Sequence, residues 1–321
     1  MQVLVTGANG FIGQALTEVL YEAGYAQVVG AVRSMSPTAA GGSRQVAVGD
    51  VGPDTDWSAA LQGVDVVVHL AARAHVLKDK VDDPLSEFRK VNVEGALALF
   101  RQAAAQQVKR FIFISSIGVN GNCTDGEPFT EASQPAPHAA YAQSKYEAEE
   151  ALKVMSCSSG VELVIIRPPL VYAAHAPGNF ARLLKLVDLG IPLPFASVPG
   201  KRSMVALENL VHFIDCCVRH PAAAGQTFLV SDGEDVSLPQ MLRWLAKGMG
   251  QRSLLLPFPP ALMSVAASVL GKKNLYTQLC GSLQVNASKS RELLGWLPPI
   301  GSQAALIATG RSFRNRVRHS R

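Results

Sequence analysis

TGANGFIG, residues 6–13, follows directly on a short apolar run, Gln2–Thr6, and leads into a helical pattern that extends from Gly10 to Glu22. Its glycines are spaced G-x-x-G-x-x-G. At the end of a strand, Gly7 allows a tight turn, Gly10 lets backbone approach a bound group, and Gly13 lets the helix pack close to the strand. The helix start then presents free backbone N–H groups to an anion. Strand, glycine turn and helix in that order are the context a pyrophosphate site requires.

Outward from this turn, strands and helices alternate. Apolar runs at Ala26–Val32, Val46–Val48, Val64–Leu70, Phe111–Ile114 and Val161–Ile166 read as further strands. VDVVVHL (64–70) is apolar almost throughout, as in a strand buried on both faces. Between them, the segment after Pro84 carries Val93, Leu97, Phe100 and Ala104 at the spacing of one buried helical face, and Tyr141–Met155 reads as a second long helix. The pattern predicts an α/β fold: a Rossmann-type doubly wound parallel sheet with a smaller, mostly helical C-terminal substrate lobe. Residues 1–170 form the dinucleotide-binding domain, joined by a returning segment at about 203–231 whose strand is Thr227–Val230. Residues 171–202 and 232–300 form the lobe, and 301–321 a helix end and basic tail. The apolar stretch Leu254–Leu270 reads as a lobe helix with Leu262, Val265 and Val269 packed inward, with a membrane-surface element as the alternative.

The 321 residues are 48% hydrophobic and 17% charged, which excludes a disordered chain. No apolar run is long enough to span a bilayer, and the N-terminal apolar run lacks the basic lead of a signal peptide. The net charge of +5 is matched by Arg311, Arg314, Arg316, Arg318 and Arg321, so residues 1–310 carry no net charge. The tail reads as a solvated, fraying end, with an anionic-lipid or nucleic-acid contact as the alternative; no nucleic-acid partner is expected. Five cysteines, an odd number without C-x-x-C spacing, suggest neither a disulfide framework nor a zinc site, and fit a cytoplasmic protein without a metal.

Two further features bear on chemistry. Where an acid at the end of the second strand would hold the ribose hydroxyls of NAD, the chain has Arg33, which suits the 2′-phosphate of NADP. NADP(H) is therefore favoured, with NAD(H) the alternative. Asp50, after the third strand, reads either as an acceptor for the adenine amine or as a turn residue. Tyr141 and Lys145 lie at i and i+4 on one helical face, where an ammonium beside a phenol favours the phenolate and lowers its pKa. Ser116 follows the Phe111–Ile114 strand, at the sheet edge where ligands bind in such folds.

Together with these pieces, HLAA (69–72), NVEG (92–95), FISSIGVNG (113–121), RPPLVY (167–172) and NASKSRELLGWLPP (286–299) occur in an order that resembles the extended short-chain dehydrogenase/reductases of the NAD-dependent epimerase/dehydratase group. The resemblance covers nearly the whole chain to about residue 300. It implies catalytic roles for Ser116, Tyr141 and Lys145. It implies a cofactor lining of Gly7, Gly10, Phe11, Ile12, Gly13, Arg33, Asp50, Val51, Leu70, Ala71, Ala72, Asn92, Tyr141, Lys145 and Pro168. Substrate contacts fall to Ser116, Tyr141, Asn179 and Arg202, with Arg73 or His75 as additional candidates. The implied substrate is a UDP-sugar, and homodimers are usual among proteins of this kind.

The chain also departs from the group. Members that eliminate water carry acids directly after the catalytic hydroxyl, whereas Ser116 is followed by Ile117 and Gly118. Epimerases generally carry an acid after the second strand. The chain thus most resembles the bacterial 4-ketoreductases of UDP-4-keto-6-deoxy-N-acetylhexosamines, which serve O-antigen precursor synthesis. The alternatives are a UDP-hexose 4-epimerase acting on UDP-glucose or UDP-N-acetylglucosamine and, more remotely, a non-catalytic dinucleotide sensor.

Overall fold

The computed structural model describes residues 1–35, 44–74, 83–269, 271 and 273–319. Seven parallel strands form the main sheet. In chain order they are β1 (Gln2–Thr6), β2 (Gln27–Val32), β3 (Arg44–Ala47), β4 (Val66–His69), β5 (Arg110–Ile114), β6 (Glu162–Arg167) and a last strand, Thr227–Leu229. Their spatial order runs from Thr227–Leu229 through β6, β5, β4, β1 and β2 to β3. The order reverses at β1, which pairs with both β2 and β4: Thr6 is opposite Ala31 on one side and His69 on the other. In sheets of this kind the reversal leaves a crevice beyond the carboxyl ends of the strands. The expected Rossmann-type sheet is thus present, and the Thr227–Leu229 strand returns to it beside β6 as the sequence predicts.

Both faces are dry. Along β1, Val3 and Val5 join one apolar cluster with Leu16, Leu20, Ile112, Val164, Phe213 and Phe228, while Leu4 joins the other with Val67, Leu99, Phe100, Phe111 and Ile165. A strand covered on both sides has no polar face, which explains the unbroken apolar runs in the sequence. A third cluster builds the C-terminal lobe from Tyr172, Phe180, Leu184, Leu242, Leu245 and Leu306.

Three expectations change. First, the segment after Pro84 is not one regular helix: Pro84–Arg89 passes through a π-helical turn, Lys90–Glu94, into Gly95–Ala105. The extra residue per turn rotates the following helix, so Ala96, Leu99, Phe100 and Ala103 face the core. Val93, Leu97 and Ala104 form its half-buried rim. Second, the basic end is not frayed. Ser302–His319 is a helix laid on Leu238–Gly248. The two backbones meet where neither has a side chain: a Cβ on Gly310 would lie 2.2 Å from Leu245 O, and one on Gly248 2.0 Å from Ile307 O. Phe313 packs on the lobe core and Arg314 pairs with Asp188; Arg321 lies outside the described residues. Third, Pro260–Val269 is helical, but Leu262, Val265 and Val269 are 56%, 61% and 82% exposed rather than packed inward. Among the described residues no helix is long and apolar enough to cross a membrane.

Candidate active site

The glycine turn is built as its sequence suggests. Gly7 has φ +64°, and a Cβ there would lie 3.1 Å from Ala71 N in the loop after β4. A Cβ on Gly13 would meet Gly7 O at 2.2 Å, so this position excludes every other residue while the helix packs this close. The helix proper is Phe11–Glu22, with Gly10 as its N-cap and no side chain capping it. Its first N–H groups therefore await an external acceptor, and Gly10 is exposed. Phe11 and Ile12 are half-buried beside it, Phe11 edge-on to His175 at 5.1 Å. A dinucleotide pyrophosphate fits this cradle.

Thr6, which sequence reasoning passed over, fixes the facing wall. Its Oγ1 accepts from Leu70 N and Ala71 N, both at 3.1 Å, and lies 2.8 Å from His69 Nδ1. With both lone pairs occupied, the hydroxyl donates to Nδ1, and the imidazole carries its proton on Nε2. Burial, and secondarily the charge of Lys145, push His69 down to about 3, so it stays neutral. Leu70, Ala71 and Ala72 are half-buried next to the glycine turn.

At the far end of the crevice, Arg33 and Asp50 stand at the ends of β2 and β3. Their side chains are 78% and 89% exposed, and they pair with each other at 3.1 Å. The two groups read separately from the sequence thus act as one exposed pair. Val51 packs under the Gly95–Ala105 helix, its Cγ1 2.7 Å from where a Gly95 Cβ would stand.

Ala140–Ser159 is the helix that carries Tyr141 and Lys145. Lys145 is buried; its Nζ donates to Ile114 O at 2.8 Å and sits 4.4 Å from the centre of the Phe113 ring. Ser116 starts the turn after β5, accepting from Gly118 N at 3.1 Å. Gly118 allows this turn to press on the helix: a Cβ there would lie 3.2 Å from Ala142 Cβ. Ser116 and the first turn of the Tyr141 helix therefore share one end of the crevice. Ile117 N donates to Pro168 O at 3.0 Å, which brings the end of β6 to the same place.

The electrostatics differ from the sequence expectation. Burial pushes the Tyr141 phenol up to about 12 instead of Lys145 drawing it down. Burial also pushes Lys145 down to about 7, partly opposed by Glu149. Lys145 is buried and Tyr141 half-buried, and desolvation disfavours the charged form of each.

A buried network supports the helix from behind. Glu149, one turn beyond Lys145, accepts from Arg167 Nε at 3.0 Å and Nη2 at 2.5 Å, and from the Ser115 hydroxyl. Arg167 also donates to Asn120 Oδ1 at 2.9 Å. The i, i+4, i+8 spacing of Tyr141, Lys145 and Glu149 carries this relation in the sequence.

Other candidates have more structural surroundings. Asn92 is fully buried; its Oδ1 accepts from Arg73 N at 2.8 Å and its Nδ2 donates to Ser144 Oγ at 2.9 Å. It thereby ties the loop after β4 to the Tyr141 helix. Asn179 donates to Gln278 at 3.1 Å and Arg202 to Gly281 O at 3.0 Å, so both converge on residues 278–281 in the lobe. His75 lies outside the described residues. A 420 Å³ hollow opens at the opposite, amino-terminal strand edge, but its Lys109–Asp65 and Arg110–Glu162 pairs already satisfy one another.

With this geometry in place, comparison with known proteins gives a consistent result. Residues 3–231 match the NAD dependent epimerase/dehydratase family. The chain belongs to that family. It is 43% identical to the UDP-glucose 4-epimerase of Vibrio cholerae over 313 residues, covering 97% of this chain and 95% of that one. It is 27% identical over 302 residues to the N-acetyl-alpha-D-glucosaminyl-diphospho-ditrans,octacis-undecaprenol 4-epimerase of Escherichia coli O157:H7, covering 89% and 88%. In fold it is similar to a UDP-glucuronic acid 4-epimerase from Bacillus cereus solved with NAD (TM-score 0.79, 22% identity, 100% of this chain and 99% of that one). A UDP-glucose 4-epimerase from Thermotoga maritima solved with UDP-glucose gives 0.77 at 21% identity, covering 99% and 100%. The protein is thus an enzyme of the NAD-dependent epimerase/dehydratase family.

Proposed function

We propose that the enzyme moves a hydride at carbon 4 of a UDP-sugar, and that its net reaction is reduction of a UDP-4-keto-6-deoxy-N-acetylhexosamine for polysaccharide precursors such as O-antigen. The observation that carries this reading is the environment of Tyr141. Ser116 lies on a turn pressed against the helix that carries Tyr141, a Cβ on Gly118 standing 3.2 Å from Ala142 Cβ, and Ile117 and Gly118, which follow Ser116, offer no carboxylate for eliminating water. Chemistry at this edge is then restricted to hydride and proton transfer.

When bound, the reduced nicotinamide supplies the hydride. The glycine turn and the start of the Phe11–Glu22 helix hold the pyrophosphate, and Leu70, Ala71 and Ala72 line the opposite wall. Ser116 orients the keto oxygen through its hydroxyl. Tyr141, held in its protonated form by burial, donates to the oxygen as it becomes an alkoxide. Lys145 anchors the ribose and, when protonated, stabilises the phenolate left behind. Asn179 and Arg202 contact the nucleotide from a substrate lobe comprising 171–202 and 232–300, set against the 1–170 domain. Arg33 takes the 2′-phosphate of NADP by exchanging its exposed partner Asp50 for the ligand. Five free cysteines are in keeping with a cytoplasmic location.

The name of the Vibrio cholerae relative favours a second reading, a 4-epimerase that oxidises carbon 4 and reduces its other face. One experiment separates the two. Purified enzyme is given a UDP-4-keto-6-deoxy sugar with NADPH or NADH, and in parallel UDP-glucose or UDP-N-acetylglucosamine with no added cofactor. Stoichiometric NADPH oxidation supports the reductase. Interconversion of carbon-4 epimers by protein that carries its own NAD supports the epimerase and overturns the first reading.

A further inference from the structure

The lobe's outer surface combines two properties that the interior chemistry does not use. Residues 236–321 contain twelve lysines and arginines and a single acid, Glu292. Seven of those cations lie in 236–310, so the positive charge of this part of the chain is not confined to the last eleven residues.

The same lobe turns apolar side chains outward. In 252–258, Leu255 packs on the lobe core while Arg252, Leu254, Leu256 and Phe258 are exposed. Backbone bonds seat this segment against 189–196: Leu193 N donates to Leu254 O at 2.8 Å, and Leu256 N to Leu193 O at 2.9 Å. Exposed Leu189 and Ile191 thereby join the row. The Pro260–Val269 helix, next in the chain, exposes Leu262, Val265 and Val269 at i, i+3 and i+7, on one helical face. Cations border the patch. Arg314 reaches Asp188, directly before Leu189, and Arg318 follows one turn later on the same helix, where Arg311 and Arg318 are both exposed.

We propose that this basic, apolar face docks the enzyme on an anionic lipid bilayer. Exposed apolar side chains gathered on neighbouring segments mark an interaction surface. Leucine, valine and phenylalanine side chains enter the boundary between headgroups and acyl chains, and arginines meet the negative surface. The helix is too short to cross, so it lies in the interface. A second copy fits the face less well, because two lobes of the same strong charge would be apposed. Nucleic acid would match the charge but offer no apolar phase to Leu254, Leu256 and Phe258.

The test is sedimentation of the full chain with vesicles of phosphatidylethanolamine and phosphatidylglycerol, compared with phosphatidylcholine alone. Binding is expected to the first set, weaker by about tenfold on the neutral vesicles and falling with added salt. The double variant Leu262→Glu, Val265→Glu is expected to bind the anionic vesicles about tenfold less while its melting temperature and oligomeric state stay unchanged. Absence of binding by the unaltered chain, equal binding to neutral vesicles, or full binding by the double variant overturns the proposal. So does a self-associated species that the double variant dissociates, which would assign the face to a second copy.

Discussion

At the carboxyl edge of the sheet, buried charges have nearby partners: Glu149 is held by Arg167 and Ser115, and Lys145 donates to Ile114 O. On the outside of the C-terminal lobe, one sign of charge prevails and leucines and valines face water. The same chain is over-determined in one region and loosely constrained in the other. Where groups are dry and paired, a single change disturbs several contacts and shifts proton affinities. Where they are exposed, a change alters what the surface meets and leaves the fold alone.

That contrast is open to mutation. The largest expected effect on stability is at the paired end. Glu149→Ala leaves the buried Arg167 guanidinium without its counter-charge, and urea unfolding should show a loss of about 3–5 kcal/mol. A loss below about 1 kcal/mol would mean that water or other groups readily replace the carboxylate. Gly13→Ala should come next, at about 1–3 kcal/mol, because its Cβ must displace Gly7 O. Dinucleotide binding, followed by nicotinamide fluorescence, should weaken in parallel. Leu262→Glu, at the exposed end, should change stability by no more than about 0.5 kcal/mol.

Acid and base sharpen the comparison further. The buried His69 has a folded-state value of about 3 against 6.5 in the unfolded chain, so the unfolded state binds more protons between those limits. Stability should fall as pH drops from about 6.5 toward 3, and His69→Gln should flatten that slope. Lys145 has the opposite consequence for function. With its ammonium proton lost near pH 7 in the free enzyme, log kcat/KM for the keto sugar should decline above that pH. A profile flat to pH 9 would show that the ammonium is not required.

The sheet was legible because its strands are buried on both faces and its glycine turn has few alternatives. Boundaries shifted by only a residue or two, as with β2, which starts at Gln27. The π-turn at Lys90–Glu94 left no trace in the periodicity, because a single extra residue per turn resembles an ordinary irregularity in hydrophobic spacing. The lobe was read less well for a physical reason. Hydrophobic spacing records that Leu262, Val265 and Val269 share a helical face, but not whether protein covers that face. At the site, Tyr141, Lys145 and Ser116 were recognisable by residue type and spacing. Thr6 and the Glu149–Arg167 pair were not singled out, since their roles arise from contacts between strands or helices distant in sequence. Spacing conveys the proximity of Lys145 to Tyr141 but says nothing of desolvation, which governs both groups.

The central claim is that the Tyr141 phenol supplies the proton at the reacting oxygen. Turnover and dinucleotide affinity of Tyr141→Phe, measured on the same preparation with a UDP-4-keto-6-deoxy sugar, test it most directly. The account predicts a fall in kcat of about 10²–10⁴-fold with affinity for the dinucleotide within about threefold of the unaltered enzyme. Undiminished turnover in that variant would contradict it.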